Sequence, residues 1–333
     1  MLIPRIPRNE LLSYPLEPYL TYWSSGAPAR FWRKSSVPRI DDNILECVAY
    51  LYPSRKDAEE GKKYGGCGFW IGVEPSEEFK GKIWHTYLVT AAHVAGGGCL
   101  AVRMNTRGGA VDIIETPPGA WHFHPDGDDV AVCDFEIPLR NFKVRLLSDA
   151  LLLNHSLIEK EKIGLGDDVV VVSRFMSHDG KQTNTPSVRY GNIAMMPQEP
   201  VKHPSGLLVE SFLVECRSLG GASGSPVFVS IPLTDRLFST RGKEKYSGGA
   251  GLWLLGVNWG HLHLNDSDFE SILLGSGKPH PDGLKVRVNT GIMAVTPAWK
   301  IRELLDEPEL RSRRLEEEEK FRREASESLS GLD

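Results

Sequence analysis

The sequence lacks any long hydrophobic run. Nowhere in its 333 residues is there a stretch of the roughly 18–20 apolar residues that a membrane-spanning helix needs. The first twenty residues, MLIPRIPRNELLSYPLEPYL, are broken by prolines and charges and have no uninterrupted apolar core of a secretory signal. We therefore expect a protein that is made and kept in the cytoplasm and that has no membrane partner.

Cysteine is scarce and scattered. The chain has five, an odd number without a CxxC pair, mostly in apolar contexts: Cys47, Cys67, Cys99, Cys133 and Cys216. A disulfide framework would give an even, clustered set, so we expect reduced thiols packed in the core. A nucleophilic cysteine is disfavoured because none lies in a glycine-rich turn.

Positive charge is also not in excess. Lysine and arginine number 39 against 44 acidic residues, and no basic stripe alternates with aromatics, so nucleic acid is not an expected partner. Phosphate-binding loops and dinucleotide fingerprints are missing, and we expect no cofactor. The hydrophobic fraction of 41% suits one large core or two medium ones.

Short runs rich in β-branched and aromatic residues make up most of the chain, separated by Gly, Asp and Pro. Such spacing predicts an all-β fold, and two β-rich halves predict two packed barrels. The predicted divisions are an irregular extension (1–44), a first barrel (45–145), a linker (146–164), a second barrel (165–296) and a C-terminal helix with a charged tail (297–333).

The strongest local signal is SLGGASGSPVFV, residues 218–229, in which glycines surround Ser223. Glycines on both sides allow a sharp turn with positive φ and a close approach of a reacting group. The amides of Gly221 and Ser223 can then converge as an oxyanion hole. The alternative is an ordinary glycine-rich turn with a solvent-facing serine.

A serine nucleophile needs a base, and His93 in LVTAAHV is a candidate for that role. The imidazole in turn needs a carboxylate to fix its tautomer. Asp129 immediately precedes the apolar run Val-Ala-Val and is the preferred candidate, with Asp128 as the fallback; Asp134 lies beyond the run.

LVTAAHV, DDVAV and GASGSPVF, in the order His, Asp, Ser, resemble the signature segments of trypsin-like (chymotrypsin-fold) serine peptidases, most of all the disulfide-free bacterial members. The resemblance covers about residues 45–300 and includes GGCGFWIGV and LLGVNWG. It implies two packed six-stranded antiparallel barrels. It also implies that His93 is the general base, Asp129 its orienting group and Ser223 the nucleophile, with oxyanion-hole amides from Gly221 and Ser223.

The resemblance further implies where a substrate binds. Asn258, Trp259 and Gly260 would form the edge that pairs with an extended peptide. Arg217 and Ser218 lie where the family builds its primary pocket, and an inward Arg217 would favour an acidic substrate side chain. The alternatives are a core position for Trp259 and a surface position for Arg217.

Two departures from the family pattern concern control. Ala222 stands where zymogen-activated members carry an aspartate, so that activation switch cannot operate here. Ser225 replaces the usual glycine. The insertion at 234–251 lengthens a normally short connection and, like the N-terminal extension and the charged tail, is a candidate contact for a regulatory partner.

Clustered histidines allow a metal site to be drawn, but they do not favour one. His122 and His124 lie near Asp126 and Asp128, and His261 and His263 alternate on a strand; such pairs are more often plain polar surface. The preferred prediction is therefore a serine endopeptidase acting on protein or peptide substrates. The alternatives are a catalytically silent peptide-binding module of the same fold and an esterase using the same triad.

Overall fold

The structure is a computed structural model that describes residues 40–117, 119–134, 137–175, 178, 180–216, 221–231, 251–264 and 288–330. The predicted N-terminal extension therefore lies outside the described residues up to residue 39. Arg217, Ser218 and all but the last residue of the 234–251 insertion lie outside them as well.

The N-terminal half forms one eight-stranded sheet. Its strands are β1 (Val48–Tyr52), β2 (Gly66–Val73), β3 (His85–Thr90), β4 (Ala101–Asn105), β5 (Val111–Glu115), β6 (Trp121–Phe123), β7 (Ala131–Asp134) and β8 (Leu147–Ser148). The order is β5-β4-β1-β2-β3-β7-β6, all antiparallel, and β8 adds parallel to β2. This half departs from the expected six-stranded barrel in the number of its strands and in its closure. Among the described strands β5 and β6 do not pair with each other, and β6 has only three residues with which to close the sheet.

The C-terminal half forms a closed six-stranded barrel in the order β10-β13-β16-β15-β14-β9. Its strands are β9 (Asp168–Ser173), β10 (Ser187–Met195), β13 (Phe212–Cys216), β14 (Pro226–Ile231), β15 (Gly251–Leu264) and β16 (Val288–Pro297). A separate hairpin, β11 (Val201–Lys202) with β12 (Leu208–Val209), projects between β10 and β13. The predicted all-β fold with a six-stranded barrel is confirmed.

The helices of the described residues are mostly peripheral. They are α1 (Arg55–Glu60), α2 (Ala92–Gly96), α3 (His155–Glu161), α4 (Ala298–Leu305) and α5 (Pro308–Ser330), with short 3-10 turns at Asp42–Cys47, Glu77–Phe79, Leu139–Asn141 and Asp149–Leu151. In α4 the apolar residues recur at helical spacing, and Trp299, Ile301 and Leu305 are buried. The predicted C-terminal helix is confirmed, and a second, highly charged helix follows it.

The hydrophobic core is continuous from one half to the other. β9 buries four consecutive valines, residues 169–172, as expected of a strand covered on both faces. All five cysteines are free and buried, as predicted. Among the described residues no helix is long and apolar enough to span a membrane.

Candidate active site

His93 lies at the end of β3, where the chain turns into the short helix α2. Its neighbour Val94 is buried and anchors the helix, whereas 46% of the His93 side chain is exposed. His93 thus lies in the single helical turn that follows the strand. The exposed ring is accessible to a substrate.

Asp129 lies against His93 through two hydrogen bonds. The imidazole Nδ1 is 2.6 Å from Asp129 Oδ2, and the backbone N–H of His93 donates to Asp129 Oδ1 at 2.9 Å. The side chain of Asp129 is only 3% exposed. This bidentate arrangement fixes both the ring and its backbone relative to one carboxylate.

The charge on Asp129 is stabilised by these contacts. Burial works to raise its pKa, but the hydrogen bonds from His93 and the electrostatic attraction of the His93 and His203 imidazoles outweigh burial and hold the pKa below its ordinary value. Asp129 is therefore ionised at neutral pH and available to support a positively charged imidazole.

Asp128, the fallback candidate, faces away from His93. Its Oδ2 lies 3.2 Å from Lys300 Nζ on α4 and 3.2 Å from Nδ1 of the buried His124. Partial burial works to lower the pKa of Lys300, but Asp128 and Glu303 raise it above its ordinary value. The two adjacent aspartates thus have separate partners: Asp128 contacts Lys300 and His124, and Asp129 contacts His93.

Two of the residues considered for a metal site, His124 and Asp126, lie in the same neighbourhood as Glu303. His124, Asp126 and Glu303 bring possible ligand atoms within 4.8 Å of one another. However, Lys300 Nζ lies 3.2 Å from Glu303, so the carboxylate of Glu303 already forms an ion pair with a lysine. The described contacts of His124 and Glu303 are those of an ion-pair network that ties α4 to the Asp129 loop.

Ser223 lies in a turn that requires glycine. Gly221 and Gly224 have φ of +86° and +81°, the left-handed region that other residues rarely adopt. A Cβ on Gly224 would lie 2.0 Å from the Cys67 carbonyl oxygen and 2.2 Å from Thr90 Oγ1. The predicted role of these glycines, a tight turn in close contact with other backbone, is present.

The serine turn of the second half is attached directly to the first. The Cys67 N–H on β2 donates to the Ser223 carbonyl at 2.7 Å. Gly66 also permits this approach, since a Cβ there would meet both the Ser223 oxygen and Val94, each at 2.8 Å. Because Val94 follows His93, this contact brings the serine turn to the helix that carries the histidine.

The amides of the turn divide into two groups. Gly224 N–H donates to Asn258 O at 2.7 Å, and Ser225 N–H donates to Ala222 O at 3.0 Å. Within the described part of the chain, the N–H groups of Gly221 and Ser223 meet no acceptor. These are the two amides that the sequence predicted for an oxyanion hole.

The Ser223 hydroxyl donates to the Trp259 carbonyl at 3.4 Å. Among the described contacts it makes no hydrogen bond to the His93 ring. A bond of 3.4 Å is long for a hydroxyl donor, so little energy holds the side chain in this rotamer. The predicted His93–Asp129 pair is assembled, whereas the serine hydroxyl points elsewhere.

The predicted substrate edge has two different parts. Asn258 is fully buried and donates from Nδ2 to the Ala222 carbonyl at 2.9 Å, so its side chain supports the serine turn and does not face a substrate. Trp259 is also buried and donates from Nε1 to Ser211 Oγ. β14 pairs with β15 only as far as Val257, which leaves the Gly260 end of β15 beyond that ladder.

His203 is a site residue that the sequence analysis did not find. It lies in the turn between β11 and β12, and its Nε2 is 3.1 Å from Asp129 Oδ2. The local sequence HPSG indicates a turn but does not indicate what the imidazole contacts. Only the folded structure, in which the hairpin lies against Asp129, reveals it.

Several solved structures of proteases resemble the chain. The apo protease domain of MamO from Magnetospirillum magneticum shares 15% identity and a TM-score of 0.43, over 79% of this chain and 97% of that one. The HtrA-type protease AlgW with a decapeptide shares 14% and 0.39, over 74% of this chain and 53% of that one. The inactive form of the Rv3671c protease shares 14% and 0.38, over 78% and 88%.

No protein-family model matches the sequence, and no curated protein matches it significantly. Identities of 14–15% do not establish a catalytic activity, which depends on the contacts that this chain itself makes.

Proposed function

We propose that the protein is a serine endopeptidase that works through an acyl-enzyme on Ser223. The observation that supports this most directly is the contact of a half-exposed imidazole with a buried carboxylate, His93 Nδ1 to Asp129 Oδ2 at 2.6 Å. A buried aspartate that accepts from Nδ1–H leaves Nε2 unprotonated and able to take a proton.

In the proposed reaction the Ser223 hydroxyl turns from the Trp259 carbonyl toward Nε2 of His93. The oxygen attacks the substrate carbonyl carbon while Nε2 takes the hydroxyl proton, and the imidazolium is stabilised by Asp129. The N–H groups of Gly221 and Ser223 donate to the negative oxygen of the tetrahedral intermediate. Collapse of the intermediate breaks the peptide C–N bond while His93 gives its proton to the leaving amine. Water then takes the place of the amine: it attacks the acyl-enzyme with His93 as the base, and the proton returns to the Ser223 oxygen.

The proposed substrate is an extended peptide. Beyond Asn258, the edge of β15 that does not pair with β16 lies next to Ser223, which is the arrangement that β-augmentation requires. The five free thiols suit the cytoplasm, where we place the activity. A preference for acidic side chains through Arg217 stays a proposal that cleavage-site profiling would test.

The test is cleavage of an unfolded protein such as denatured casein by wild-type protein and two serine variants. Ser223→Ala should lower the rate by roughly 10⁴–10⁶, the range reported for triad serines. Ser225→Ala is the matched control, since its hydroxyl is buried and has no hydrogen-bond partner among the described residues. It should cleave within about threefold of wild type.

The outcomes separate the alternatives. Turnover of p-nitrophenyl esters without cleavage of any protein would identify an esterase. Well-folded wild-type protein that neither cleaves nor hydrolyses esters, but binds extended peptides, would identify a silent module. Cleavage that persists in purified Ser223→Ala would contradict the proposal outright.

A further inference from the structure

His203 brings a second imidazole to the carboxylate of Asp129. Its Nε2 lies 3.1 Å from Oδ2, the same oxygen that contacts Nδ1 of His93. Oδ1 accepts from the backbone N–H of His93. The His203 side chain is only 11% exposed, so water cannot easily replace it. Asp129 therefore has three protein donors, and one comes from a hairpin of the other half.

The contacts of the opposite ring nitrogen fix the His203 tautomer. The backbone N–H of Ser205 donates to His203 Nδ1 at 3.1 Å, and Ser205 Oγ lies 2.8 Å from the same atom. A backbone N–H can only donate, so Nδ1 is the acceptor and the ring proton of the neutral imidazole is on Nε2. His203 thus presents Nε2–H to Asp129 without bearing a charge.

The ring is also held by packing. The hairpin pairs Val201 with Val209 and Lys202 with Leu208, and Gly206 N–H closes the turn on the His203 carbonyl at 2.8 Å. The His203 ring meets the Trp259 ring edge-on, with centroids 4.7 Å apart. Backbone pairing and ring packing together leave the imidazole little freedom to turn away from Asp129.

We propose that His203 is a positioning residue: as a neutral Nε2–H donor it holds the Asp129 carboxylate in the orientation in which Oδ2 receives Nδ1–H of His93. It touches no reacting atom and acts on catalysis only through Asp129. The kinetic consequence of this inference rests on the proposed serine endopeptidase function. The geometry of the His203–Asp129 contact does not depend on that function. Without His203 the carboxylate loses one of two donors on Oδ2 and can rotate or take up water.

The kinetic test compares His203→Ala, His203→Gln and Leu208→Ala. His203→Ala should lower kcat about tenfold, the effect of losing one hydrogen bond to a charged group, with KM within about twofold. His203→Gln should recover most of the loss because its amide N–H can reach the position of Nε2. Leu208→Ala, an exposed change on the same hairpin, should match wild type and so control for disturbance of the hairpin.

Three kinetic results would overturn the inference. An unchanged kcat in His203→Ala would mean that the contact is idle. A faster His203→Ala would mean that His203 competes with His93 for Oδ2. A His203→Gln as slow as His203→Ala would mean that the ring matters only as packing.

A second test needs no activity. In protein with ¹⁵N-labelled histidine near pH 7, NMR should find the His203 ring protonated on Nε2 alone, and the downfield Nδ1 proton of His93 should shift or broaden in His203→Ala. A proton on Nδ1 of His203, or an unaltered His93 signal, would overturn the inference. If wild type hydrolyses nothing, the proposed function fails, and this measurement alone decides whether His203 orients Asp129.

Discussion

At the scale of single residues, Asp129 is the best-constrained group of the site because only donors surround it. Two imidazoles share its Oδ2, and a backbone N–H meets its Oδ1. An amide in its place offers one acceptor and one donor. In either orientation of that amide, therefore, an N–H group would face another N–H group or force His93 into the wrong tautomer.

Asp129→Asn should accordingly lower kcat by about 10⁴ while the protein stays folded. The measurement is the steady-state rate at pH 7 together with the circular dichroism spectrum. Asp126→Asn, an exposed change three residues earlier, should have less than a twofold effect. An Asp129→Asn variant that keeps more than a tenth of the wild-type rate would remove Asp129 from the mechanism.

At the scale of elements, the charged helix α5 is held on the first sheet by a polar cluster around the buried side chains of Glu318 and His85. Glu318 accepts from the backbone N–H and the hydroxyl of Ser76, at 2.9 and 2.7 Å. The two ring nitrogens of the buried His85 lie 2.7 Å from Glu317 and 3.2 Å from Glu318. Burial works to raise the pKa of Glu318, but these partners hold it below its ordinary value of 4.5.

Glu318→Gln should lower the free energy of unfolding by about 1–3 kcal/mol at pH 7, since Ser76 and His85 lose a buried charged acceptor. A carboxylate whose pKa is lowered by folding stabilises the fold at pH values above its ordinary pKa. This stabilisation is lost as the pH falls through the lowered pKa. The difference between the variant and wild type should therefore shrink below about pH 4. Urea unfolding at pH 7 and at pH 3 measures both effects.

Glu316→Gln is the matched control on the same helix, because Glu316 is exposed and has no described partner. It should unfold like wild type at both pH values. Equal stabilities of the two variants at pH 7, or a Glu318→Gln deficit that persists undiminished at pH 3, would show that α5 is not anchored through this carboxylate.

The sequence predicts elements well where the signal is local. CGFWIGV became β2, the valine run became β9 and the spacing in PAWKIRELL became α4. It predicts little where the signal is a long-range contact. The charged tail shows no apolar periodicity that would predict packing, yet Glu318 is buried against His85.

The site shows the same division. Three local motifs were enough to select His93 and Asp129 as partners. His203 was missed because its partner is 74 residues away and nothing in HPSG encodes it. Asn258 was expected at the substrate, but its buried side chain bonds to Ala222 in the serine turn, a contact between residues 36 apart. Such roles arise from packing of the two halves and have no sequence period.

At the scale of the whole molecule, the proposed site exists only where the two halves meet. The histidine and aspartate come from the first half, while the serine turn and the His203 hairpin come from the second half. The Cys67–Ser223 backbone bond and the bond from Thr296 Oγ1 to the Asp129 carbonyl join them. Chemistry at Ser223 should therefore depend on the folded assembly and not on the turn alone.

The most direct measurement is the site of reaction with a fluorophosphonate probe, located by peptide mass mapping. Because an isolated serine hydroxyl is a poor nucleophile, stoichiometric labelling requires the His93–Asp129 pair. We expect one adduct, on Ser223, that disappears in Asp129→Asn and in protein unfolded with urea. Folded wild-type protein that takes up no probe, or whose adduct forms on another residue, would contradict the claim that these three side chains act as one hydrolytic unit.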